Sequence, residues 1–220
     1  MPNPLIAPQG NINHLDFDSS GKQTGYPEAE RIGRRYAGIV LSLLGKVEKV
    51  EADGVWARLR TVTVGAREVE EIELKRAEYS ASRPLPAAGG DLTACGLAEG
   101  NPAVERELAR ELLFFRSEGR ERYEVPLQVL GIGPFRICAI PGEPFAEVGT
   151  WLRKALPRHA IFPVALANGY FGYLPLERSF EGGGYEVRAG RLNCLERGAA
   201  GIILDELKRM LDPPTGPGRA

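Results

Sequence analysis

Histidine is nearly absent from this chain: among 220 residues only His14 and His159 occur. A zinc site built on imidazole wants more of them than these two can supply. Serine–histidine–aspartate hydrolysis has no G-x-S-x-G elbow to start from. Cysteine is scarce as well. Cys95, Cys138 and Cys194 stand far apart with no C-x-x-C pair, which excludes a zinc knuckle and a disulfide scaffold and leaves buried, reduced thiols. Neither sign of charge is in excess, with 28 Lys and Arg against 29 Asp and Glu. That balance gives no footprint for nucleic acid or an anionic membrane. Long apolar runs are missing too. The most apolar tract, "IFPVALANGYFGYLPL", is interrupted by Pro163, Asn168 and glycines and is no membrane span. The opening "MPNPLIAPQG" lacks the basic start and apolar core of a secretory signal, so a soluble, cytoplasmic chain is expected.

What is present is the composition of a packed globular protein, 43% hydrophobic and 26% charged. Residues 1–27 read as irregular. A helix follows, with Pro27 at its first position and Ala29, Ile32, Tyr36, Val40, Leu43 and Leu44 in an apolar stripe. "VWARLRTVTV" and "EVEEIEL" alternate apolar and polar residues as half-buried strands do, with Gly65 and Ala66 between them. Residues 80–102, rich in Pro, Gly, Ala and Ser, predict a loop or lid. Asn101-Pro102 opens a second helix with Val104, Leu108, Leu112 and Phe115 on one face.

From residue 122 the pattern is strand, turn at Gly131–Pro134, the apolar strand "FRICAI", a Pro-Gly turn, and a helix with Pro144 at its first position. A further strand, "AIFPVALAN", and a helix over 199–211 complete the chain. The sum is an α/β fold, a mixed sheet with flanking helices, in a single domain over 1–211 with a disordered tail at 212–220.

Two features invite chemistry. Glu143 lies where a buried strand gives way to a helix, the place where open α/β sheets put their ligands. It also fits a plain helix-capping carboxylate. The stretch "NGYFGYLPLERSFEGGGYEV", residues 168–187, follows another apolar strand. Asn168, Tyr170 and Tyr173 emerge near Glu143 if the two strands are neighbours, and glycines 182–184 let the chain bring Tyr185 back to the same place. Amphipathic core tyrosines with hydrogen-bonded tips fit the pattern equally. His159 reads as a surface residue and His14 as a structural polar contact or a weak ligand candidate.

The segments "IGPFRICAIPGEPFAEVGTWLRK" and "ALANGYFGYLPLERSFEGGGYEV" resemble the second half of the catalytic domain of neutral/alkaline non-lysosomal ceramidases and their bacterial relatives. The resemblance covers roughly residues 9–211 and is specific over 131–187. It implies part of that family's α/β fold and zinc-dependent hydrolysis of the amide of N-acylsphingosines or another small amphipathic amide, a reaction of sphingolipid metabolism. It puts the zinc-binding glutamate on Glu143, the zinc-binding tyrosine on Tyr173 and a tyrosine that hydrogen-bonds the reacting amide on Tyr185. Asn13, in "GNINHL", stands where the family has its active-site serine.

The family's two zinc-binding histidines belong to an earlier half of the domain that has no counterpart here. Three expectations follow. The chain is a truncated or split amide hydrolase completed by an N-terminal chain that brings the histidines; or it is a hydrolase of a different amide or ester; or it is a non-catalytic α/β module that keeps the pocket for binding or assembly.

Overall fold

A computed structural model describes residues 5–16, 18–84 and 101–211. Most of the loop or lid expected at 80–102, together with Cys95 and the tail at 212–220, lies outside the described residues. The chain divides into two compact units, residues 13–52 and a larger one of residues 1–12 and 53–220.

The smaller unit holds α1 (Tyr26–Leu44), with Pro27 in its first turn as its sequence predicts. Gly25, at φ 96°, turns the chain into the helix where a residue with a Cβ would be strained. Glu28 accepts from Arg31 at 2.7 Å and Glu30 from Arg34 at 2.6 Å, one turn apart on the helix surface. No residue of α1 is buried, so the stripe of Tyr36, Val40 and Leu44 is a helix face and not a core.

The larger unit is built on a four-stranded mixed sheet in the order β1 (Val55–Gly65), β2 (Arg122–Ile132), β3 (Phe135–Ala139), β5 (Ala160–Val164). β1–β2 and β2–β3 are antiparallel, and β3–β5 is parallel. The parallel pair is joined by α4 (Ala146–Ala155), which packs on β5 and on α5 (Ala199–Met210). β2 alternates along its length, with Tyr123, Val125, Leu127 and Val129 facing the core. Against them pack Val148 and Leu152 of α4 and Ile203, Leu204, Leu207 and Met210 of α5. Pro163 lies in β5, an edge strand, where a missing N–H costs the ladder least. α2 (Glu71–Ser82) and α3 (Pro102–Ser117) pack as a pair, and Asn101 caps α3 by accepting from Ala103 N–H at 2.9 Å.

Two sequence expectations are corrected. "EVEEIEL" is not a strand. Its second half is the first turn of α2, where Glu70 and Glu73 form a reciprocal capping box. Two backbone donors satisfied at the helix start outweigh a seven-residue alternation. Pro144 does not open α4. It belongs to the two-residue strand β4 (Glu143–Pro144), and the helix begins at Ala146 after Phe145. The donor left open at Ala146 N–H is met by Asn11 Oδ1 at 2.8 Å.

Candidate active site

Beyond β3 the chain turns at Pro141-Gly142 and enters β4, which pairs in parallel with β6 (Tyr173–Leu174). Glu143 and Tyr173 are direct register partners. Glu143 N–H donates to Gly172 O at 2.9 Å and Phe145 N–H to Leu174 O at 3.2 Å. Glu143 is therefore not the N-cap of α4; it is held two residues before the cap by main-chain bonds.

The loop that delivers the tyrosines leaves β5 through left-handed backbone at Leu166 (φ 55°) and Asn168 (φ 67°). Asparagine tolerates that region, and Asn168 Nδ2 donates to Gln128 Oε1 at 3.0 Å. Gly172, at φ 77°, passes so close to the main chain of Leu192 that an added Cβ would lie 2.3 Å from its oxygen. Only glycine fits there. Glycines 183 and 184 also take positive φ, and they return the chain so that the Tyr185 ring lies 5.6 Å from that of Tyr173 at 73°.

Tyr170, which its sequence brings near Glu143 without giving it a role, contacts that carboxylate directly. Its hydroxyl donates to Glu143 Oε1 at 2.9 Å, and the side chain is 51% exposed.

Burial dominates the electrostatics. It pushes the Tyr170 phenol up to about 12, helped by the hydrogen bond to Glu143 and by that carboxylate's charge. Tyr173 is raised by burial first, then by Tyr185 and by Glu143. Tyr185 is raised by burial and next by Glu186. Near neutrality all three are therefore protonated phenols, and the single O–H of Tyr170 is already given to Glu143. Beside them Glu147 accepts from Asn11 Nδ2 at 2.9 Å and from Arg178 at 3.0 Å.

The arrangement offers one carboxylate and three hydroxyls. Among the described residues no group of three or more His, Cys, Asp or Glu could hold a metal ion. Zinc takes four donors, so these residues alone do not make a zinc site. Of the remaining residues singled out in the sequence, Asn13 and His14 belong to the smaller unit. There Asn13 Oδ1 accepts from Leu15 N–H at 3.2 Å, and His14 Nε2 lies 3.0 Å from Gln23 O. His159 is half-buried, and its Nδ1 has no hydrogen-bond partner among the described residues. Cys138 and Cys194 are free and buried, as expected.

The chain matches no protein-family model and no curated protein. Its fold is that of part of a solved ceramidase. It aligns with the crystal structure of neutral ceramidase from Pseudomonas aeruginosa at a TM-score of 0.52 and 17% identity, over 92% of this chain and 36% of that one. A ceramidase complexed with C2 aligns at a TM-score of 0.48 and 17% identity, over 86% of this chain and 36% of that one. The chain thus spans about a third of the length of the structures it matches.

Proposed function

We propose that this chain carries part of the active site of a ceramidase-like amide hydrolase, acting on N-acylsphingosine or a related small amphipathic amide or ester. The observation that carries the reading is the register pairing of Glu143 with Tyr173, with the hydroxyl of Tyr170 on that carboxylate and the ring of Tyr185 beside Tyr173. A fold shared with part of a neutral ceramidase supports it. In this reading the neutral phenol of Tyr185 donates to the carbonyl oxygen as negative charge develops there. Tyr170 fixes the direction of the Glu143 carboxylate. Zinc, with Glu143 and Tyr173 as two of its donors, enters only with ligands from outside the described residues, such as an N-terminal complementing chain.

The test is hydrolysis of a fluorogenic N-acylsphingosine by the purified chain with added zinc and an N-terminal complementing chain that supplies the remaining ligands, compared with Glu143→Gln, Tyr173→Phe and Tyr185→Phe. Turnover abolished by the first two and reduced by about tenfold to a thousandfold in the third is expected. Turnover that survives both Glu143→Gln and Tyr173→Phe overturns the assignment. The shortage of metal donors among the described residues favours one second reading, a module that binds the amide without cleaving it. Saturable binding without turnover, weakened by Tyr185→Phe, selects it.

A further inference from the structure

The two faces of the four-stranded sheet meet different fates. Val64, Val125, Leu127, Val129, Cys138 and Ile161 point to the side on which α4 and α5 pack, and they join the hydrophobic core. The residues between them along each strand point the other way. Among the described residues, none on that second face belongs to the core.

Strand register arranges the second face in rows. One row runs Val55, Ile132, Phe135, Ala160, and the next Ala57, Leu130, Ile137, Phe162. The third sets Leu59, Ala139 and Val164 beside Gln128, the single polar residue of the three rows. Val55, Leu59 and Phe162 are 76%, 65% and 46% exposed. The rings of Phe135 and Phe162 lie 6.0 Å apart on this side. Charge is confined to one end, where Arg122 and Glu124 follow the third row on β2 and Glu124 accepts from Thr63 Oγ1 at 2.8 Å.

Contiguous apolar surface beyond a few hundred Å² marks an interaction site on a folded protein. Strands stand about 4.8 Å apart and same-face rows about 6.7 Å apart along them. With Thr61, Pro126, Thr63 and Glu124 included, the face has a flat footprint of about 500 Å². Two such faces together cover about 1,000 Å², the size at which a specific interface begins.

We propose that this face is the interface of a homodimer, two copies packed sheet on sheet about a twofold axis. A twofold pairing asks only that one patch complement itself. Flat apolar sheet faces do so, stacking about 10 Å apart with strand directions about 30° from each other. Three rows without a charge meet their own copy with no like-charge repulsion. The other route to self-association is pairing along the free edge of β1, the outermost strand. Arg58 and Arg60 lie in that strand, and charged side chains of this kind blunt edge pairing. At the third row Gln128 Oε1 accepts from Asn168 Nδ2, so the second copy borders the loop that carries the tyrosines. The interface stands independently of the hydrolase reading.

Sedimentation velocity of the full chain over a range of micromolar concentrations tests it. A reversible dimer is expected, its dissociation constant raised about tenfold or more by Leu59→Lys and by Phe162→Lys. Both positions are exposed on the open face, and an unchanged circular dichroism spectrum separates lost pairing from lost folding. Leu44→Lys, on the exposed stripe of α1, should leave the dimer intact. A dimer as tight in both face variants as in the unaltered chain, or one dissolved by Leu44→Lys alone, overturns the proposal. So does a chain that stays monomeric throughout, the result expected if the face is instead the seat of an N-terminal complementing chain.

Discussion

Replacing Gly172 by alanine loads the main chain where the tyrosine loop passes the segment after Gly190. At φ 77° any side chain is in the left-handed region, a cost of about 1–2 kcal/mol. The new Cβ would lie 2.3 Å from Leu192 O and 2.4 Å from its carbonyl carbon. Those are backbone atoms and cannot rotate aside, so the strand must shift, at about 1–3 kcal/mol of overpacking. The same shift strains the bond from Tyr173 N–H to Leu192 O, now 2.8 Å and worth about 1 kcal/mol. Together these reach about 3–6 kcal/mol, a large share of the 5–15 kcal/mol that holds a domain together. Gly183 is the matched control. Its φ is 72°, yet a Cβ there meets nothing within 4 Å, so Gly183→Ala carries only the conformational cost of about 1–2 kcal/mol. In urea, with a slope of about 2 kcal/mol per molar, Gly172→Ala lowers the unfolding midpoint by about 1.5–3 M and Gly183→Ala by about 0.5–1 M. Equal midpoints for the two variants would refute the argument, because they would mean that contact with Leu192 adds nothing to the cost of a positive φ.

Other expectations concern protons, thiols, caps and metal. Tyr123 and Tyr170 are raised to about 12 from 10, Cys138 to about 12 and Cys194 to about 11 from 9, each by burial first. Each holds its proton longer folded than unfolded, so that stability is intact below about pH 9 and is lost as pH rises towards 12. Chemical unfolding at pH 8 and pH 10.5 checks the sign, and equal stability at both contradicts it. In the native chain Cys138 and Cys194 should resist a thiol reagent at pH 8 and react at once in denaturant; fast native labelling of both would show that they are not enclosed. Glu70→Ala opens the capping box of α2 and should cost about 0.5–2 kcal/mol, read as a lower melting temperature. Zinc should bind the isolated chain weakly, and dialysis against a chelator should leave its melting temperature unchanged; one tightly held equivalent would mean that donors converge here beyond Glu143 and Tyr173.

Where an element is long and one-sided, its sequence announces it. β2, α3 and α5 carry enough alternation or helical spacing that burial leaves a plain trace, and Asn101-Pro102 marks its own helix start. The failures occur where a few local bonds decide. The Glu70–Glu73 box turns an alternating stretch into a helix, and β4 and β6 are two residues each, too short for any period to register. That Glu143 and Tyr173 would meet was an inference from neighbouring strands; their direct register is visible only in the structure. The part of Tyr170 was not legible, because it rests on one hydrogen bond at the end of a left-handed turn.

The β4–β6 ladder has a consequence for how such a site can change. The gauge between positions 143 and 173 belongs to the main chain, set by Glu143 N–H on Gly172 O and Phe145 N–H on Leu174 O. No side-chain atom is needed to maintain it. A lineage, or an engineer, can therefore exchange one donor at a time, such as Tyr173→His or Glu143→Asp, on an unchanged ruler. Chemistry at this pair is free to drift while its spacing is inherited.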